Sequence, residues 1–342
     1  MNSRELVQKT LTFCSPEKIP RQIWVLPWAE ERYADFLHRL KLSFPDDIVI
    51  APAVYKVPLK TNGDPYSQGT YIDEWGCTFT NPVNGIIGTV QIPLISDWED
   101  LNRIKEPESV LSLDQDAVNK FCRETDCFVL SGTTVRPFER LQFLRTMKQA
   151  FLDLAEQPPD LFELLNRIHR FYCKEVETWA NTEVDAIALM DDWGTQNRLM
   201  VSPDLWRRTF KPMYKEYADI ARHSSKYVFM HSDGYIIDII PDLIEIGIDA
   251  LNSQVDCMGI STLGERFRGR ITFWGEIDRQ NLLPYGSRQE IRQAVLEMWN
   301  QFYAEGGVIA QCEFGIGAKP ENVFTVFEAW DALSRRKRKV SE

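Results

Sequence analysis

The chain has 342 residues, 44% hydrophobic and 26% charged, with a formal net charge of -11. That length holds one large core or two smaller ones, and the acidic balance excludes a general nucleic-acid or anionic-membrane binder. No apolar run approaches the ~20 residues that cross a bilayer, and Met1-Asn2-Ser3-Arg4-Glu5 lacks an apolar signal core. The seven cysteines are odd in number, scattered and without a C-x-x-C pair, so the expected setting is a reducing cytoplasm rather than a disulfide framework.

Residues 3–13 are predicted to form a short amphipathic helix, stopped by Ser15-Pro16. Ile23-Trp24-Val25-Leu26 fits a first buried strand, residues 30–42 repeat apolar side chains at helical spacing, and residues 47–52 form a second strand. Residues 53–110 are irregular, and Asn84-Gly85 between apolar runs predicts a hairpin there. From residue 111 a rhythm begins: helix 114–122, strand 127–132, helix 138–156, a long helix to about 182, strand 186–192. Ser202-Pro203-Asp204 opens the next helix with a cap residue and a first-turn proline. Strand 227–230, helix 235–246, strand 248–252, a short helix to 267 and strand 271–274 follow. Helix 288–303, strand 308–310 and helix 320–333 complete the set, and the basic run Arg335-Arg336-Lys337-Arg338-Lys339 begins a solvated tail over 335–342.

Eight apolar strands, nearly all separated by helices, predict parallel pairing with helical crossovers and a closed (β/α)8 TIM barrel of α/β class. A doubly wound open sheet is the alternative, but no G-x-G-x-x-G follows the first strand. No linker divides the chain, so residues 1–342 are expected to be one domain with 53–110 as an insertion.

A barrel carries its chemistry at the C-terminal ends of its strands. Five strands in succession end in polar or metal-capable groups there: Asp191-Asp192-Trp193, His231-Ser232-Asp233-Gly234, Asn252-Ser253-Gln254, Gly275-Glu276 and Gln311-Cys312-Glu313. In His231-x-Asp233 both side chains leave an extended segment on the same side. With Cys312 across the mouth they offer an imidazole, a carboxylate and a thiolate, a donor set for Zn2+ with one position left open. Cys312 and Glu313 are adjacent, so a regular strand turns only one of them inward. Asp191 and Asp192 are candidate catalytic acids, with a helix cap as the plainer role for one of them. Arg136 and Arg140 are candidate holders of an anionic substrate, or ordinary charges at a helix start.

The segments Asp192-Trp193-Gly194, residues 202–206, residues 226–234, residues 240–247, Gly275-Glu276-Ile277-Asp278, residues 283–286 and residues 320–323 resemble the uroporphyrinogen decarboxylase superfamily. The likeness covers nearly the whole chain and implies the same barrel. It also implies one of two chemistries. In the decarboxylase branch an aspartate, at Asp47 by resemblance, would bind the pyrrole N–H groups of a uroporphyrinogen. That branch carries an arginine cluster near the first strand, where this chain reads Arg21-Gln22-Ile23-Trp24-Val25-Leu26-Pro27-Trp28. In the corrinoid-dependent methyltransferase branch, zinc is held by H-x-C and a distal Cys. His231 and Cys312 match those positions, and Asp233 stands where the pattern has Cys.

The leading expectation is metal-dependent methyl transfer between a corrinoid carried by a partner protein and a thiol or other small acceptor. His231, Asp233 and Cys312 or Glu313 would hold Zn. Asp191, Asp192 and Glu276 would be catalytic, and Trp193, Gln254, Arg136 and Trp28 would meet the substrate. Decarboxylation through Asp47 is the alternative, and a non-catalytic ligand-binding barrel the third reading. Expected partners are the small-molecule substrate, the corrinoid protein and a second copy of the chain as a homodimer, with no nucleic acid and no membrane.

Overall fold

The computed structural model describes residues 1–341 except Thr134, with side chains described through Arg335. Helix α1 (Ser3–Leu11) comes first, then β1 (Arg21–Val25), α2 (Pro27–Ser43) and β2 (Ile48–Ile50). The chain leaves the barrel for three antiparallel strands, β3 (Gly69–Ile72), β4 (Thr78–Asn81) and β5 (Thr89–Ile92). It returns through α3 (Gln115–Glu124) to β6 (Phe128–Leu130), followed by α4 (Pro137–Arg145), α5 (Met147–Glu156) and α6 (Pro159–Ala180). Next are β7 (Ala186–Met190), α7 (Pro203–Thr209), α8 (Lys211–His223), β8 (Tyr227–His231), α9 (Ile240–Ile246) and β9 (Ala250–Asn252). Helices α10 (Val255–Met258) and α11 (Ile260–Phe267) lead to β10 (Thr272–Trp274), then α12 (Leu282–Tyr285), α13 (Arg288–Phe302), β11 (Val308–Phe314) and α14 (Pro320–Ser341).

The eight barrel strands pair in parallel in the order β1-β11-β10-β9-β8-β7-β6-β2. The two end strands, β1 and β2, are drawn together by an Asp47 amide that donates to the Arg21 carbonyl at 2.8 Å. The Asp46 and Asp47 carboxylates accept from the Ile23 and Arg21 amides at 2.7 and 3.1 Å. The result is the expected (β/α)8 barrel, nearly closed. Strand alternation sorts its side chains into two layers. Phe128, Phe229, Trp274 and Ile309 fill the lumen, whereas Val129, Val228, Phe273 and Val308 pack outward against the helices. Val7 and Leu11 of α1 join the lumen cluster, and Thr10 accepts from the Gly307 amide at 2.9 Å, so α1 plugs the N-terminal end. Polar side chains are left the opposite, C-terminal mouth.

Asp47 therefore departs from its expected role. It precedes β2 at the plugged end, where its carboxylate accepts from Ser3 Oγ at 2.6 Å and Lys18 Nζ at 2.9 Å. A three-residue strand offers too little pattern to tell its start from its end in sequence, and Asp47 closes the barrel instead of meeting a substrate.

Three local differences have plain causes. The helix expected over 138–156 breaks at Thr146, whose φ of 66° lies in the left-handed region and whose hydroxyl caps α5. The helix expected from residue 235 begins only at Ile240, with Pro241 in its first turn. The last helix runs past residue 333 to Ser341, so the expected 335–342 tail is helical through residue 341.

The excursion contains the expected hairpin, with Asn84-Gly85 between β4 and β5. Arg140 of α4 anchors its base. Its guanidinium reaches Asp73 at 2.5 Å and Glu74 at 3.1 Å and stacks over Trp75 at 5.0 Å, so it is not available to a substrate. Near it, Glu175 of α6 is buried and accepts from the Thr133 hydroxyl at 2.6 Å. Burial, opposed by that hydrogen bond, pushes the Glu175 carboxyl from 4.5 up to about 7. A carboxyl whose folded pKa is raised holds its proton more tightly when folded, so its cost to stability is absent below the unfolded value and accumulates as pH rises through 7. At 1.36 kcal/mol per pKa unit the cost approaches roughly 3 kcal/mol. Urea melts of Glu175→Gln and wild type should diverge by that order between pH 4.5 and 8; a pH-independent difference contradicts the assignment.

Candidate active site

Two loops at the mouth are stitched together. The Gly194 amide donates to the Asp233 carbonyl at 3.0 Å, and the Tyr235 amide to the Thr195 carbonyl at 2.7 Å. A Cβ on Gly234 would fall 2.3 Å from the Gly194 backbone and one on Gly194 2.3 Å from the Tyr235 amide nitrogen, and Gly234 has φ of 79°, so glycine is required at this crossing. The crossing brings Asp192, after β7, beside Asp233, after β8, and the Asp233 amide donates to Asp192 Oδ1 at 2.8 Å.

His231 ends β8 on the lumen face, with its ring 5.3 Å from that of Trp24. Asn252, at the end of β9, donates from Nδ2 to the Trp274 carbonyl at 2.5 Å, which leaves its Oδ1 facing His231 Nδ1 at 2.6 Å. Nδ1 must then carry the proton, and Nε2 faces two carboxylates: Asp192 Oδ1 at 3.5 Å and Asp233 Oδ1 at 3.6 Å. An ion held at about 2.0–2.2 Å by a nitrogen and an oxygen sets them about 3.3 Å apart, close to both distances. Asp233 Oδ1 is buried with no hydrogen-bond partner among the described residues. On both counts Asp192, His231 and Asp233 fit a divalent cation.

Arg279 forms the opposite wall. It pairs with Asp233 Oδ2, with Glu313 Oε2 at 3.1 Å and with Glu276 Oε1 at 3.6 Å. Burial pushes the Glu276 carboxyl well above the usual carboxylate range; Arg279 opposes this, and Asp233 and Glu313 add to it. Glu276 is thus disposed to hold a proton. Glu139 is raised as well, by burial and by Asp192 against the pull of Arg136. A hollow of about 210 Å3 lies on one side of Arg279, lined by Gln254, Cys257 and Glu276 among others. A wider one of about 510 Å3 lies on the other, lined by Leu26, Tyr285, Glu313 and Ile316.

Several expected site residues are elsewhere. Cys312 lies on the outward face of β11 with Val308, Ala310 and Phe314, wholly buried in the outer core, while Glu313 takes the inward position. Strand alternation thus separates Cys312 from His231, and the expected ligand set loses its thiolate. Asp191 also faces outward, accepting from the Phe138 and Glu139 amides at 2.8 Å each and from Tyr214 Oη at 2.5 Å. It caps α4 rather than facing a substrate. Trp193 is fully buried, stacked on Phe138 at 4.1 Å, and donates from Nε1 to Tyr214, so it is core. Trp28 packs against Gly85 of the hairpin and the ring of Tyr33 at 5.8 Å. Gln254 is at the mouth, accepting from the Gly234 amide at 3.1 Å, and Arg136 lies against Glu139 at 3.8 Å.

The sequence matches the uroporphyrinogen decarboxylase (URO-D) family over residues 70–333, more than half of the chain. The chain belongs to the URO-D family. Among solved structures it is similar to a methyltransferase from Methanosarcina mazei, with a TM-score of 0.67 at 17% identity over 97% of this chain and 99% of that one. At that identity the likeness shows the shared fold. An endo-1,4-beta-xylanase from Caldicellulosiruptor owensensis matches at 14% identity over 59% of this chain and 70% of that one, with a TM-score of 0.32. An intracellular xylanase from Thermoanaerobacterium saccharolyticum matches at 10% identity over 92% and 98%, with a TM-score of 0.38. No curated protein matches the chain. Among the described residues no helix is long and apolar enough to cross a membrane.

Within this URO-D barrel, Asn252, Arg279 and Glu139 stand around His231, Asp192 and Asp233, although the sequence alone assigns them no role. Asn252 stands at a strand end like His231, and that position was its available signal. Arg279 and Glu139 lie on loop and helix starts, where charge is ordinary. Removing the orienting acceptor in Asn252→Leu is expected to weaken divalent-metal binding about 10–100-fold, measured by competition with a chromophoric chelator. Unchanged affinity would mean that His231 needs no orienter.

Proposed function

We propose that this URO-D family member is a methyltransferase that passes a methyl group between a corrinoid, carried by a partner protein, and a small thiol or hydroxyl acceptor. The observation that carries the reading is the convergence of Asp192 Oδ1 and Asp233 Oδ1 on His231 Nε2 at 3.5 and 3.6 Å. A divalent ion bound there would supply Lewis acidity, lowering the pKa of the acceptor. Zinc suits this set, with two oxygen donors where the resembling branch has sulfur.

The remaining roles belong to the chain's own residues. Asn252 keeps the His231 proton on Nδ1, Arg279 fixes Asp233 through Oδ2 and leaves Oδ1 toward His231, and Glu276 holds a proton beside the acceptor's position. Tyr285 and Ile316 stand exposed at the rim of the wider hollow, an apolar edge on which a corrinoid protein can seat.

Decarboxylation of a uroporphyrinogen is disfavoured by the same site. The mouth cations Arg136 and Arg279 are already engaged, Arg136 by Glu139 and Arg279 by Asp233 and Glu313, so neither is free to hold a polycarboxylate, and Asp47 is at the other end of the barrel. The test is metal-loaded protein incubated with methylcob(III)alamin and a panel of thiols and alcohols, following the corrinoid spectrum. Demethylation that depends on both metal and acceptor is expected. Loss of carboxylates from uroporphyrinogen without it would overturn the reading.

A further inference from the structure

Helices α6 and α8 pack side by side in the outer helical layer. His169 and Cys173, one turn apart, share a face of α6, and Glu216 reaches them from α8. Cys173 Sγ lies 3.8 Å from both ring nitrogens of His169, and Glu216 Oε2 lies 2.9 Å from Nε2. All three donor atoms fall within 4.8 Å of one another. Across the ring, Nδ1 is 2.9 Å from the hydroxyl of Tyr217, a fully buried residue.

We propose that His169, Cys173 and Glu216 form a second metal site, which takes a thiophilic divalent ion of the Zn2+ type and ties α6 to α8. One nitrogen, one sulfur and one oxygen donor is a set that Zn2+ accepts, and bond lengths of about 2.0–2.3 Å require donor separations of about 3.3–3.6 Å. The observed 3.8 and 2.9 Å bracket that range, so each of these two separations needs to change by only a few tenths of an ångström, and the third is within 4.8 Å. Tyr217 supplies what a ligating histidine needs on its other nitrogen: a fixed oxygen that accepts from Nδ1–H and presents Nε2 to the metal. Glu216 is more than half exposed, so the fourth position opens to water. The plainer reading is a His169–Glu216 surface pair, worth at most ~1 kcal/mol. That pair leaves unexplained why a cysteine lies one turn from the histidine and on the same face.

The site is independent of the mouth, whose converging donors include no sulfur, so the two are separable by spectroscopy. Metal-free full-length protein is titrated with Co2+ and Cd2+, reading the thiolate-to-metal charge-transfer absorption. The band is expected in wild type and in His231→Ala, absent in Cys173→Ser, and shifted to at least about tenfold higher metal concentration in Glu216→Gln. Glu216 is on the surface, so that variant tests the site even where Cys173→Ser disturbs packing. Zn2+ should raise Tm in His231→Ala and not in the double variant His231→Ala/Cys173→Ser, because an ion bound only by the folded state stabilises it. No charge-transfer band, or one that persists in Cys173→Ser, overturns the proposal and leaves the reading of the mouth untouched.

Discussion

Replacing His231 by alanine is expected to release the divalent ion from the mouth and to abolish methyl transfer while the barrel stays folded. Nε2 faces both Asp192 Oδ1 and Asp233 Oδ1, and without it those two oxygens confront each other across a shared site. The loss of metal affinity should exceed the ~10–100-fold typical of an orienting residue such as Asn252. Elemental analysis of protein purified without added metal, beside circular dichroism, reads both halves of the prediction. Cys312→Ala is the matched control. Its side chain faces the outer core, so its metal content should equal that of wild type. Full metal occupancy of the mouth in His231→Ala would sink the reading; a loss in Cys312→Ala would restore the ligand set that the strand register rejects. Because α6 and α8 offer a second candidate site, metal is counted in a Cys173→Ser background.

Arg140→Met should be strongly destabilising, by about 3–5 kcal/mol in urea melts. Methionine keeps much of the apolar volume but leaves Asp73 buried with its Oδ2 charge uncompensated and Glu74 without its partner. Asp73 also accepts from the Trp75 and Cys77 amides at 3.1 and 2.7 Å, so the ion pair holds the turn that launches β4. The double variant Arg140→Met/Asp73→Asn should recover part of the loss, because removing the stranded charge removes the larger cost. A loss under ~1 kcal/mol would mean that the excursion is held by its apolar contacts alone, and that the pair behaves like a surface salt bridge.

How much of the site could be read in advance differs residue by residue. His231 and Asp233 converge as the H-x-D spacing requires, since period-two alternation is local and needs no tertiary information. Asp191 and Asp192 show the limit of the same argument: alternation says that one faces in and one out, but not which. The phase is set by Ile187 and Leu189 packing outward, which sends Asp191 out to cap α4 and Asp192 in to meet His231. On β11 the phase set by Val308 and Ala310 puts Glu313, not Cys312, toward Arg279. Resemblance had pointed to Cys312 as a ligand, and packing decides otherwise.

The sequence by itself determined the barrel: the alternation of apolar strands and amphipathic helices admits few architectures, and each element's period is a local property of the chain. It also determined that the polar strand ends would gather at one mouth, because parallel strands all end on the same side. Only the tertiary structure decided which acids share that mouth. The inward or outward phase of each strand, the glycine crossing that joins Asp192 to Asp233, and the reach of Arg279 across three carboxylates depend on contacts between residues far apart in the chain. Asp47 makes the same point from the other end. Whether a carboxylate beside a three-residue strand closes a barrel or meets a ligand depends on which end of the strand it occupies, and only its partners Ser3, Lys18 and Arg21 reveal that.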